Sequence, residues 1–488
     1  MAENFQQPFQ CIQSFKTKSG SKNVFVASVG SKLFCYDSES GQRLSVWPQD
    51  GADAPNANDE SNPEVEGPPG KKRKVDPSSE QKNTTPALKQ TTAWTNIPIL
   101  TATPDGEYLV ALTAEDKSIR VFQIEENSSF LELSARSMPK RPCAITFTDK
   151  NDILIGDKFG DVYSMPLIPS AEPRTVKAQR EHRKVIAATN LTVHTERNLR
   201  SLQMQQEQLA KRAKNAQSSN QDSEAPAFDH NLLLGHVSLL TDVVFAKLPS
   251  PEDSSEQRSY ILTGDRDEHI RVSRGPPQAN ITENYCFGHT AFISKLCIPT
   301  WAPEVLISGG GDPFLLIWNW ASGQILQKIS LSEYQSAETK EVAVRGIWAS
   351  SSNSHRVIFV ALEGNPTLLT YTLPPSGTLT PLAPIESPLG GNILDIESNG
   401  NGVIISRDTI RQPGSSQEWR TTASKFYLDL LRLTDQGVWE GVDAWFVGNV
   451  NSQDTVPASG VSEKEKKASN NAVYGLENLR KKLYGDEE

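Results

Sequence analysis

Leu234-Gly235-His236, an apolar strand over 242–246 and then Tyr260-Ile-Leu-Thr-Gly-Asp-Arg-Asp-Glu-His-Ile-Arg-Val-Ser273 form the stretch on which the fold turns. It recurs as Phe287-Gly288-His289, a strand over 293–298 and Val305-Leu-Ile-Ser-Gly-Gly-Gly-Asp-Pro-Phe-Leu-Leu-Ile-Trp318-Asn319. Both copies read as an apolar strand, a turn, a second strand, a small-residue hairpin ending in Asp and a third strand. Aligned on Asp267 and Asp312 they lie 45 residues apart, a spacing that suits one four-stranded propeller blade. In this register His236 and His289 precede the innermost strands and bond the structural hairpin aspartates Asp267 and Asp312. Trp318 packs over one such pair, and Ser273 replaces it in the other.

Weaker copies extend the period in both directions. Strands over 97–103, 108–113 and 118–124 place Glu115-Asp116 in the hairpin slot, and strands over 143–147, 153–156 and 160–165 place Asp157 there. Stretches 344–349, 357–362 and 367–373 read as a sixth blade, and 392–396 with 402–407 open a seventh. Strands 23–29 and 32–36 supply the remaining blade, with Trp445-Phe446-Val447 expected as the strand that completes it and removes an exposed sheet edge. The fold class is therefore all-β, a seven-bladed β-propeller with two long inserts and a C-terminal tail. Its segments are N-terminal blade strands at 1–47, a loop at 48–92, blades at 93–168, an insert at 169–230, blades at 231–450 and the tail at 451–488.

The first insert is rich in Pro, Asn, Ser, Glu and Lys and nearly free of aromatics, so it is expected to be disordered. Within it Lys71, Lys72, Arg73 and Lys74 form a dense basic run that suits an import receptor's acidic groove and predicts a nuclear protein; a solvated charge cluster is the alternative. The second insert is basic, and its later half has helix-forming composition. In the tail Leu476, Leu479 and Leu483 share a helical face beside Arg480, Lys481 and Lys482, to dock a partner or to fold back on the propeller.

A net charge of −10 over 488 residues argues against coating nucleic acid by bulk electrostatics. No apolar run reaches the roughly 18 residues of a membrane span, and the five scattered cysteines read as reduced core thiols. No metal-ligand or Ser/His/Asp spacing emerges, and Gly309-Gly310-Gly311-Asp312 lacks the spacing and following helix of a phosphate loop. The sequence points to a binding protein without a cofactor or metal of its own.

Leu233-Leu-Gly-His-Val-Ser-Leu-Leu-Thr-Asp-Val243, Thr263-Gly-Asp-Arg-Asp-Glu-His-Ile-Arg-Val-Ser273 and Cys286-Phe-Gly-His-Thr-Ala-Phe-Ile-Ser294 closely resemble the WD-repeat non-catalytic subunits of fungal-type eukaryotic tRNA (guanine-N7)-methyltransferases. The specific block covers residues 232–320. Lys140-Arg-Pro-Cys-Ala144, Gly156-Asp-Lys-Phe-Gly-Asp-Val162 and Tyr474-Gly-Leu-Glu-Asn-Leu-Arg480 extend it. The resemblance implies a heterodimer in which this chain binds and stabilises a separate catalytic subunit. That subunit uses S-adenosylmethionine to methylate a guanine in the tRNA variable loop. By the family's pattern Arg271 is the first candidate for a contact to an acidic residue of the enzyme, with Arg266 and His269 beside it. Lys140 and Arg141 are candidates for auxiliary tRNA-phosphate contacts, or are solvated charge. A general nuclear scaffold or substrate adaptor shares the fold and import run, and a propeller hydrolase would need an acid/base or metal site at the central channel.

Overall fold

A computed structural model describes residues 5–49, 94–169, 204 and 228–481, apart from 21, 252, 254, 335–340, 353–354, 375–376, 387–389, 400–401, 435–437, 443–444 and 459–461. The described strands build seven four-stranded antiparallel sheets arranged as a ring. Blade 1 is β1 (Cys11–Lys16), β2 (Asn23–Val29), β3 (Lys32–Asp37) and β4 (Arg43–Trp47). Blade 2 runs from β5 (Ile99–Ala102) through β6 (Leu109–Thr113) and β7 (Ser118–Ile124) to β8 (Phe130–Ser137). Blade 3 takes β9 (Pro142–Phe147), β10 (Ile153–Asp157) and β11 (Asp161–Met165), and receives its outer strand β12 (Asn231–Gly235) from beyond the second insert. Blades 4 to 7 are contiguous: β13–β16 begin with β13 (Leu240–Pro249) and end with β16 (Thr282–Cys286), and β17–β20 span from β17 (Ile293–Cys297) to β20 (Gln324–Ser330). β21–β24 open with β21 (Val344–Ser352), and β25–β28 open with β25 (Ile393–Asn399) and close with β28 (Trp439–Gly441).

Residue type follows radial position. The second strands Leu109–Thr113 and Val305–Gly310 are buried at every residue, as continuous apolar runs covered on both faces by neighbouring blades must be. The outer strand Gln324–Ser330 has no buried residue and is exposed at every position but Gln327 and Ile329, which are half-buried.

The ring does not close as the sequence predicts. Blade 1 draws all four strands from the N-terminus, so no sheet edge is left for Trp445-Phe446-Val447 to fill. That segment is instead α1 (Trp445–Ser452). Its buried Phe446, Val447 and Val450 fall at i, i+1 and i+4, one helical face, and pack against Phe25, Tyr36 and Tyr427 at the seam between blades 7 and 1. Gly41, at φ +71°, permits this approach, because a Cβ there would lie 2.2 Å from the Phe446 carbonyl oxygen.

Polar closure comes from the innermost strands. In blades 4 to 7 the pairing slips at the second residue of the first strand, at Leu240/Asp242, Ile293/Lys295, Val344/Gly346 and Ile393/Asp395. Such a bulge re-aims the residue after it. Asp242 thereby accepts the Leu296 N–H of the next blade at 2.9 Å, and Asp395 accepts the Ile12 N–H across the closing seam at 2.8 Å. Glu397 adds the Ser14 N–H at 3.0 Å. Burial pushes the Asp395 carboxyl up to about 6 and the Glu397 carboxyl up to about 7.

Because the folded pKa of Glu397 exceeds its ordinary 4.5, the folded chain binds more protons in that window. Its contribution to stability is complete below pH 4.5 and is lost as pH rises through about 7. The wild-type melting temperature is expected to fall between pH 5 and 8 relative to Glu397→Gln, which carries no such titration; parallel curves for the two proteins would refute the assignment.

Candidate partner-binding face

The loops that join second to third strands and successive blades meet at one end of the ring, where the two complete repeats differ in an instructive way. In blade 5 His289 is buried and bridges Asp312, at 2.7 Å from Nδ1, and Ser308, at 2.7 Å from Nε2. The Trp318 indole N–H donates to the same Ser308 hydroxyl at 2.8 Å. Burial pushes the Asp312 carboxyl up, but bonds from His289 and Thr290 outweigh it and hold the group below its ordinary value. Gly310 cannot carry a side chain, since a Cβ would stand 1.8 Å from the Phe292 carbonyl oxygen. The glycine run is a packing device of the hairpin.

Blade 4 corrects the predicted register. His236 Nε2 meets the Thr263 hydroxyl at 2.8 Å, but its Nδ1 faces Asp265 at 3.6 Å, and Asp267 plays no part. The Asp265 side chain is 5% exposed and also accepts the His269 backbone N–H; the Asp267 side chain is 46% exposed. The aspartate two residues earlier takes the structural place because Glu268, at φ +75°, turns the hairpin so that Asp267 and Glu268 protrude. With Ser273 where blade 5 has Trp318, the ring over His236 is absent and the site is more open.

Around this hairpin lies an apolar platform that sequence reasoning missed. Tyr285 and Phe287 stack at 5.4 Å between centroids with 13° between planes, and they are 40% and 62% exposed. The half-exposed His269 ring meets Phe287 edge-on at 5.6 Å. Leu232, Val237 and Leu239 expose further apolar surface on the adjoining strand and loop. Buried Cys286 between the two aromatics was the available signal: in an outer strand an inward cysteine sends both neighbours outward. Arg271 is Tyr285's cross-strand partner, and its guanidinium is held by the Ser273 hydroxyl and the Gly235 carbonyl, both at 3.1 Å. Arg271 and His269 thus flank one surface. Arg266 does not join them, because its guanidinium points away to bond the carbonyls of Leu479 and Arg480.

Those carbonyls belong to a C-terminal strap. α2 (Glu463–Val473) starts at a capping box of Ser462 and Glu465, and a 3-10 turn (Leu476–Leu479) follows. The predicted longer helix is replaced by this short turn, and Leu483 and Lys482 lie outside the described residues. Tyr474 is buried, its hydroxyl donating to Asp408 at 2.6 Å, and Arg411 links Asp408 to Asn470. Gln10 and Asn96 bond the Ala472 carbonyl, and Arg345 bonds that of Val473. The strap therefore lies over the central cavity, about 820 Å³ in volume. Lys140 sits 3.9 Å above the exposed Phe159 ring, and Arg141 and Lys158 line the cavity mouth. Burial and the neighbouring Arg141 hold Lys158 below the ordinary lysine value. The basic run at Lys71, Lys72, Arg73 and Lys74 and the second insert, apart from residues 169, 204 and 228–230, lie outside the described residues.

Residues 25–430 match the family model described as tRNA methyltransferase TRM82 WD40 domain. The chain belongs to that family. It is 46% identical over the full length of both chains to a protein of Aspergillus oryzae named tRNA (guanine-N(7)-)-methyltransferase non-catalytic subunit trm82. A Coccidioides immitis protein of the same designation is 37% identical, covering 99% of this chain and all of that one. Among solved structures, one titled "Structure of U3-55K" matches at TM-score 0.48 and 13% identity, over 88% of this chain and 96% of that one.

The blade 4 register predicts a contrast within one hairpin. Asp265→Ala removes the buried carboxylate that faces His236 and leaves the His269 N–H without its acceptor, and should cost about 2 kcal/mol in urea unfolding, whereas Asp267→Ala should stay within about 0.5 kcal/mol of wild type. Equal losses in the two variants would restore Asp267 to the structural role.

Proposed function

We propose that this chain is the non-enzymatic subunit of a tRNA (guanine-N7)-methyltransferase. It binds and stabilises the catalytic subunit through the blade 4 platform, and so supports N7-methylguanosine formation in the tRNA variable loop. Full-length similarity to proteins named as such subunits carries the reading. The surface chemistry supports its location: stacked Tyr285 and Phe287, apolar Val237 and Leu232, and a half-buried Arg271 combine the aromatic and arginine anchors on which interfaces concentrate their energy. Two backbone and side-chain bonds pre-orient Arg271 toward a carboxylate, lowering the ordering cost of an ion pair.

S-adenosylmethionine stays with the catalytic subunit. The tRNA is met through the complex, with Lys140, Arg141 and Lys158 on blade 3 as auxiliary phosphate contacts beside the platform, weakening as salt rises. The Lys71, Lys72, Arg73 and Lys74 run supports capture by an import receptor and a nuclear location.

Purified chain titrated with the catalytic subunit tests the reading. Arg271→Glu and Phe287→Ala should each raise the dissociation constant tenfold or more with an unchanged melting temperature, in line with the roughly 2 kcal/mol or more that interface anchors carry. Wild-type affinity in both variants places the interface elsewhere, and no binding by wild type overturns the partnership.

A further inference from the structure

The strap's last three described residues are anchored to the rim of blades 4 to 6, and Arg266, Asp267 and Glu268 among these anchors lie on the same hairpin that carries Arg271 and His269. Arg266 Nε donates to the Leu479 carbonyl at 2.8 Å and its Nη2 to that of Arg480 at 3.3 Å. Arg480 reaches back across the rim to the carbonyls of Gly311, at 3.0 Å, and Val342, at 2.7 Å. It also pairs with Glu477 and Glu341. Lys481 lies between the two protruding acids, 3.0 Å from Glu268 and 3.3 Å from Asp267, and these acids raise its pKa, the Glu268 bond foremost.

The charge consequence is specific. Without the strap, the hairpin tip would present Asp267 and Glu268 bare, two carboxylates within a few residues of Arg271. An acidic segment approaching Arg271 would meet them first. With the strap seated, Lys481 answers both acids and Arg266 is turned inward onto backbone carbonyls, leaving Arg271 as the charge that faces outward beside the aromatic platform. The hairpin backbone is pinned from the same direction, and it includes Glu268 in the left-handed region, a conformation that tertiary contacts must hold in place.

We propose that the partner-binding surface is composite: the C-terminal strap is a built-in part of it, and its end converts an acidic hairpin tip into one that accepts an acidic segment of the catalytic subunit. The inference rests on the proposed partnership and adds its regulation. Strap docking and partner binding favour one another, so anything that lifts residues 479–481 weakens the complex. The buried Tyr474–Asp408 and Arg411–Asn470 bonds keep the strap on the ring by themselves, so its tip can be altered in a full-length, folded chain.

The test uses full-length chain and catalytic subunit at two salt concentrations, with hydrogen exchange followed over 265–271. Lys481→Glu should weaken binding three- to tenfold at low salt, chiefly through the association rate, with the difference shrinking at high salt. Restoring the pair by charge exchange, Lys481→Glu with Asp267→Lys and Glu268→Lys, should recover most of the affinity. Arg480→Ala, which frees the tip without adding a negative charge, should speed exchange in 265–271 and also weaken binding. If wild type binds the enzyme while Lys481→Glu and Arg480→Ala bind within twofold of it, the composite surface is overturned and the partnership stands. If the exchanged triple variant stays as weak as Lys481→Glu, the charge-conversion argument fails. If wild type itself does not bind, the partnership falls, and this inference with it.

Discussion

A ring of seven sheets has one seam that sequence order cannot bridge, and everything on its loop-bearing face depends on how that seam is held. Here the first and last blades are each complete, so no strand is exchanged between them. Closure rests on side chains: Asp395 and Glu397 receive the backbone N–H groups of Ile12 and Ser14, and α1 buries Phe446, Val447 and Val450 against Phe25, Tyr36 and Tyr427 of blades 1 and 7. A buried carboxylate accepting backbone donors is favourable only where its desolvation is offset. The raised values at Asp395 and Glu397 show desolvation prevailing over the bonds they accept. The same bulge and carboxylate recur between blades 4 and 5 at Asp242. The seam is thus an instance of a joint already used inside the ring.

The two complete repeats show how one motif serves packing in one blade and binding in the next. Blade 5 spends its histidine, serine, aspartate and tryptophan on one another, and nothing of that set is left at the surface. Blade 4 keeps the histidine and a hydroxyl but loses the tryptophan, and its carboxylate moves two residues toward the strand. The residues released by that shift, Asp267, Glu268 and His269, protrude beside Arg271. A loss of internal order in the repeat is what makes the hairpin available to another molecule.

How much of this was legible in the sequence varied with the range of the interaction. Strand period, hairpin residues and the 45-residue repeat are local, and they gave seven blades and the His289–Asp312 pair directly. Asp267 takes the structural place in the sequence and Asp265 in the fold, because alignment on the last aspartate of the hairpin ignores the left-handed turn at Glu268, which no residue type announces. Trp445-Phe446-Val447 was misread because an apolar run of three suits a strand or a helix, and only the count of strands already in blade 1 decides between them. Arg266 looked like Arg271's neighbour in sequence, but its partner lies more than 200 residues away in the strap. Tyr285 and Phe287 were readable from alternation around Cys286, given the knowledge that this strand is outermost.

The strap connects these observations. It is fastened most deeply near blade 7, where Asp408, Arg411, Asn392 and Tyr474 form a buried polar cluster. Its last described residues, Arg480 and Lys481, lie across the cavity at the exposed tip of blade 4 and the neighbouring rim, where their bonds are to carbonyls and surface acids. Buried hydrogen-bonded charge is costly to break by halves, whereas exposed ion pairs contribute about 1 kcal/mol or less. The two ends therefore differ in how readily they release, and the weaker end is the one that meets the proposed partner. A segment tied firmly at one place and lightly at another can yield at the light end without unfolding the ring, which makes the hairpin tip the natural point for the complex to be strengthened or loosened.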